Sequence, residues 1–129
     1  MVHLTDERPA DSSYIDGYGP DGFRIAGVLH AGPLLVASGL IAPWPVSGLA
    51  DAALGTFDPL LASDTAFELL IVGCGARLSP PPKGLSAALR ERNIGLEPMD
   101  TGAACRTYNL LLIEGRAVAA ALLPVDAAS

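Results

Sequence analysis

Charged side chains are scarce in this chain, and basic ones scarcer: eight Lys and Arg stand against fourteen Asp and Glu in 129 residues, a net charge of −6 at pH 7. A phosphate-backbone partner needs a clustered basic face, and these eight cations are scattered, which argues against nucleic acid. Cysteine and histidine are rarer still, two of each. Cys74, Cys105, His3 and His30 lie far apart without ligand-type spacing, so no zinc cage is expected, and no motif calls for a cofactor. Aromatic residues make up only 5%, so the core must be aliphatic and close-packed. Residues 1–8 also lack the basic start and apolar run of a secretory signal, which points to a reducing bacterial cytoplasm.

What is abundant is apolar. Hydrophobic residues account for 50% of the chain, enough for one well-buried domain at this length. Residues 25–50 carry no Asp, Glu, Lys or Arg, and that length would span a bilayer. Gly27, Gly32-Pro33, Gly39, Pro43 and Pro45 cut it into pieces of strand length, and backbone freed at prolines cannot be satisfied by lipid. No transmembrane segment is therefore expected.

Turn chemistry and periodicity divide the rest. Residues 1–12 are polar and read as a tail, residues 13–125 as a single domain, and residues 126–129 as a second tail. Gly19-Pro20-Asp21-Gly22 and Ala31-Gly32-Pro33 are reversal signals between short strand-like pieces, so the first half reads as an antiparallel β meander running to a Pro43-Trp44-Pro45 corner. Asp58-Pro59 resembles a capped helix start within residues 49–62. Phe67 to Val72 is apolar enough to be covered on both faces. A helix is predicted from Lys83 to Asn93, with Gly95 as its C-cap. A short strand follows to Met99, and then a second helix, capped by Asp100 or Thr101 and ended by Gly115. Its expected buried stripe is Ala103-Ala104, Tyr108 and Leu111-Leu112. Ala117 to Leu123 is the last strand. The fold class is thus α/β: a three-layer domain in which the meander is followed by β-α-β-α-β with a mixed, partly parallel sheet and right-handed crossovers.

The polar residues suggest two candidate surfaces. The carboxyl ends of the parallel strands should open on one edge, where Gly73, Cys74, Gly75, Thr101 and Arg106 form a candidate ligand pocket. Gly73-Cys74-Gly75 resembles the start of a dinucleotide fingerprint, but its third glycine is missing and a triple proline separates it from the helix. Cys74 and Cys105 suggest a reactive thiol if a helix N-terminus and Arg106 lower a thiol pKa, against the commoner role of a buried small hydrophobe. The second surface is a candidate partner face comprising Trp44, Tyr108, Asn109 and Arg116, with Trp44 either an exposed anchor or a plug at the sheet end. Neither histidine has a matching acid and nucleophile, so no catalytic residues are assigned.

Residues 18–27, Trp44, Leu69 to Gly75, Met99 to Asn109 and Glu114 to Leu122 together resemble the small Mth-type domain family of unknown function. The Thr107-Tyr108-Asn109 and Glu114-Gly115-Arg116 pair carries most of that likeness, which spans Tyr14 to Val125. The resemblance implies an Mth-like three-layer α/β fold and, for the branch that includes mitochondrial complex I assembly factor 3, a part in assembling the respiratory NADH dehydrogenase. It implies no catalytic residues. The function expected from it is a non-enzymatic interaction or assembly factor whose client is a protein, such as a respiratory-complex subunit, in the cytoplasm or peripheral to the inner membrane through that partner. The alternative is a small-ligand binder or thiol-dependent enzyme at the carboxyl edge. The sequence leaves the oligomeric state open.

Overall fold

Which strands are covered on both sides decides the architecture. In the computed structural model, which describes residues 1–4 and 13–126, two sheets share the strands. Strands β1 (Val2–His3), β2 (Gly17–Gly19), β3 (Gly22–Ile25) and β4 (Val28–Ala31) form a small antiparallel sheet in that order. The larger sheet is built from β5 (Leu34–Ala37), β6 (Leu40–Pro43), β7 (Leu69–Cys74), β8 (Gly95–Met99) and β9 (Val118–Leu123), in the order β6-β5-β9-β7-β8. Strands β7, β8 and β9 are parallel, while β5 runs antiparallel to both β9 and β6.

The expected continuous meander is therefore divided. All four residues of β5 and all six of β9 are buried, so both are interior strands with apolar side chains on each face. Strand β4 is largely exposed and stays with the small sheet. Gly32, at φ +77, and Pro33 make the break between them. The first residues of the expected tail also pair: Val2 and His3 lie opposite Tyr18 and Gly17, and the Leu4 amide donates to the Asp16 carbonyl at 2.9 Å. The remainder of both expected tails, residues 5–12 and 127–129, lies outside the described residues.

Among the described residues, three α-helices complete the domain: α1 (Asp58–Leu61), preceded by single 3₁₀ turns at Leu49–Asp51 and Leu54–Phe57, α2 (Leu85–Arg90) and α3 (Thr101–Ile113). Helix α2 is shorter than predicted because the prolines hold the chain extended through Pro82 and Gly84 is left-handed at φ +85. The left-handed residue that closes its C-terminal end is Asn93 rather than Gly95. Asn93 sits at φ +63, its amide donates to the Arg90 carbonyl, and the Ile94 amide reaches the Leu89 carbonyl at 3.0 Å, a Schellman closure that also packs Ile94 near Leu89. Gly95 is then free to open β8.

The large sheet separates two cores. On one face Leu35, Leu70, Val72, Cys74, Ala119 and Ala121 pack under Trp44, Phe57, Leu60, Leu85 and Leu89. On the other, Val36, Ile71, Ala120 and Leu122 meet Ala104, Cys105 and Tyr108 of α3 and Ile15, Phe23 and Ile25 of the small sheet region. The result is the expected three-layer mixed α/β domain: short helical segments, a mixed five-stranded sheet, and a layer made of α3 with the small antiparallel sheet.

Candidate functional site

Helix α3 carries four of the nine candidate residues, Thr101, Arg106, Tyr108 and Asn109, and its ends form as predicted. The Asp100 carboxylate caps it by accepting from the Ala103 amide at 2.9 Å. Gly115, at φ +77, closes the other end, with its amide on the Leu112 carbonyl and the Arg116 amide on the Leu111 carbonyl. The buried stripe is rotated from the predicted one. It runs through Thr101, Gly102, Ala104, Cys105, Tyr108 and Asn109, while Leu111 and Leu112 are only partly buried.

Thr101 closes the carboxyl edge of the parallel strands. Its fully buried hydroxyl donates to the Leu123 carbonyl of β9 at 2.5 Å and accepts from the Gly75 amide, just beyond β7, at 2.8 Å. The Thr101 amide returns a bond to the Gly75 carbonyl at 2.9 Å. One side chain thus ties the ends of two strands to the first turn of α3. Gly73 has to be glycine for this: a Cβ there would lie 3.0 Å from the Thr101 hydroxyl oxygen and 3.0 Å from Leu122.

The five residues of the predicted ligand pocket do not line one cavity. Gly73, Gly75 and Thr101 are consumed by this junction. Cys74 points to the opposite face, into the Trp44 core, with its thiol 3.4 Å from the Ser79 carbonyl. Arg106 is exposed and lies further along α3. Cys105 belongs to the other core, so the sheet separates the two thiols. Burial pushes the Cys105 thiol up to about 12; neighbouring Arg106 opposes this and Asp100 adds to it. A helix N-terminus and a cation therefore do not produce a thiolate here, because desolvation outweighs both.

The predicted partner face is likewise mostly interior. Trp44 is 2% exposed, its ring 5.3 Å from that of Phe57 and its indole N–H donating to Thr56 Oγ1 at 3.1 Å. It is the plug rather than the anchor. Tyr108 is fully buried and donates to Ser13 Oγ at 2.8 Å. Asn109 accepts from the Ile15 amide at 2.9 Å and donates to the Ile15 carbonyl at 2.8 Å, so its carboxamide imitates one rung of a β ladder. Together Tyr108 and Asn109 pin the segment entering the small sheet onto α3. Only Arg116 of the four is exposed, and it meets Glu68 at 3.8 Å across solvent.

What remains open on α3 is a stripe that sequence reasoning missed. Arg106, Leu110 and Ile113 follow one another at i, i+4 and i+7, and Leu110 and Ile113 are 57% and 60% exposed. With Val2, Leu4 and Tyr14 they border a groove of about 440 Å³. The i, i+4, i+7 spacing was legible, but a stripe of that kind ordinarily marks the core. Its exposure follows only from Tyr108 turning the opposite face inward, while Asn109 lies beside the stripe at the wall of the groove.

The fold and this arrangement define an Mth938-like α/β domain. A solved Bordetella pertussis protein described as such a domain has a TM-score of 0.69 and 30% sequence identity, over 96% of this chain and 93% of that one. The protein belongs to the family described as protein of unknown function (DUF498/DUF598), whose model matches residues 15–123. An uncharacterised protein of Rhodobacter capsulatus is 46% identical over 88% of this chain and 86% of its own length. The human protein named NADH dehydrogenase [ubiquinone] 1 alpha subcomplex assembly factor 3 is 32% identical over 95% of this chain, which spans 67% of the human sequence.

Proposed function

We propose that this protein is a non-enzymatic assembly factor in the bacterial cytoplasm that holds a subunit of the respiratory NADH dehydrogenase before the complex is complete. The observation that carries this reading is the relationship to assembly factor 3, which extends over 95% of the chain and so includes α3 and both sheets. The surface best suited to a client is the groove beside Arg106, Leu110 and Ile113. Its apolar floor supplies the attraction and the single arginine an orienting charge. No helix among the described residues is long and apolar enough to cross a membrane, so contact with the inner membrane would come through the client.

The test is genetic and biochemical together. In a bacterium deprived of this protein, native-gel separation of membranes should show assembled NADH dehydrogenase reduced several-fold. The wild-type gene should restore it, and a Leu110→Lys, Ile113→Glu double variant that folds normally should not. Mass-spectrometric identification of NADH dehydrogenase subunits on the captured wild-type protein, lost with the double variant, would support the same surface. Unchanged enzyme levels without the protein would overturn the reading.

A further inference from the structure

Strand β4 is a short edge strand with no charge, proline or, among the described residues, covering element to blunt it. Edges in soluble proteins are normally blunted by charge, by proline or by a covering element. Residues 25–50 contain no Asp, Glu, Lys or Arg, so β4 and the neighbouring edge strand β6 have none. Val28 and Leu29, on opposite faces of β4, are 56% and 42% exposed. Where β4 ends, His30, Ala31 and Leu34 meet Ile41, Ala42 and Pro43 of β6 around a hollow of about 220 Å³.

The ladder shows which backbone groups are free. Strand β3 pairs with β4 as Ile25 with Val28, Arg24 with Leu29, and Phe23 with His30. Ala26 and Gly27, both at positive φ, form the two-residue turn between them. In such a hairpin Ile25 and Val28 exchange hydrogen bonds, as do Phe23 and His30. The Leu29 and Ala31 N–H and C=O groups therefore point out of the sheet.

We propose that β4 pairs antiparallel with β4 of a second copy, joining two small sheets into one eight-stranded sheet. Two features select a second copy. Each chain carries a net charge of −6, so two copies can approach closely only through a neutral face, and the β4 edge is one. The register is also self-matched: setting Leu29 opposite the second copy's Ala31 satisfies all the outward groups of both residues on both chains and puts the two-fold axis at His30. The same register brings Val28 of the second copy opposite Gly32, beside the hollow lined by Leu34 and Ile41. The exposed valine thereby gains an apolar neighbour, as strand addition requires of alternate side chains. So short a strand buries little area and makes a weak, reversible dimer that forms only at high protein concentration.

Sedimentation velocity on the intact protein from about 10 µM to 1 mM tests this. The wild type should move towards twice the 13.2 kDa chain mass as concentration rises. Ala31→Pro removes an outward N–H, and Val28→Glu places like charges at the seam. Each should hold the protein monomeric while leaving its circular dichroism unchanged. Leu110→Lys on α3 should dimerise like wild type, which separates this interface from the client groove. A wild type that stays monomeric at 1 mM would overturn the proposal. So would a dimer unaffected by both β4 variants, since that would put self-association on another surface.

Discussion

The two faces of the central sheet are built on different principles. Under Trp44 and Phe57 the contacts are mainly apolar, with an indole hydrogen bond at the margin and the weak bond of the Cys74 thiol to the Ser79 carbonyl. Under α3 the apolar core is the same size of problem, but buried polar groups are set into it: Thr101, Asn109 and Ser13, with the Tyr108 hydroxyl beside them. The first face is non-directional and tolerates repacking; the second fixes where each element must end and in which register it docks. Tyr108 and Asn109 lie on the second face, so their part in the molecule is architectural.

The contrast can be broken from either side. Trp44→Ala should cost most, about 4 kcal/mol, since it removes the largest side chain of the first core and leaves a cavity beside Phe57; urea denaturation would measure it, and a loss below about 1 kcal/mol would mean that the first face is held elsewhere. Thr101→Val conserves volume yet strands the Gly75 amide and the Leu123 carbonyl, so about 3 kcal/mol should be lost. Asn109→Leu keeps the apolar area but leaves both Ile15 backbone groups unpaired. About 2 kcal/mol is expected there, with hydrogen exchange accelerating first at Ile15 and in β2.

Cys105 sharpens the comparison through pH. Its thiol is neutral in the folded protein up to about 12, against 9.0 for an ordinary thiol. Above pH 9 the unfolded chain therefore releases a proton that the folded one retains. The stability contribution is fully present below pH 9 and is lost as the pH climbs towards 12. Cys105→Ala should flatten that alkaline decline, and a thiol reagent at pH 8 should leave Cys105 unmodified until denaturant is added. Arg116→Ala should do least, below about 0.5 kcal/mol, because its partner Glu68 is 3.8 Å away and both are more than half exposed.

Much of α3 was legible because its signals are local. Asp100 as cap, Gly115 as terminator and the apolar run into β9 each depend on a few neighbouring residues, and all three hold. Residue pairs distant in the chain were not legible. Nothing near Asn109 says that its partner is Ile15, and nothing near Trp44 says that Phe57 and Thr56 enclose it. The division of the meander was hidden for a related reason: β4 and β5 have similar composition and differ in what covers them. The cap of α2 was misplaced on Gly95 because glycine is the commoner left-handed residue, whereas Asn93, two positions earlier, carries the hydrophobic neighbour that completes the closure. The candidate site fared worst, since each polar residue proposed for the carboxyl edge turned out to be a bonding partner of the backbone or to face elsewhere.

Strand β9 lies between β5 and β7, yet it follows every other strand in the chain. During synthesis the two halves of the large sheet therefore emerge with a gap between them that only residues 118–123 can fill. Until then β5 and β7 each present an open apolar edge, and no partial sheet made from the first hundred residues can close. A nascent chain of this protein therefore exposes unpaired apolar strand edges until nearly the whole domain has left the ribosome. Its cooperativity is concentrated in a six-residue strand that is made late and buried throughout.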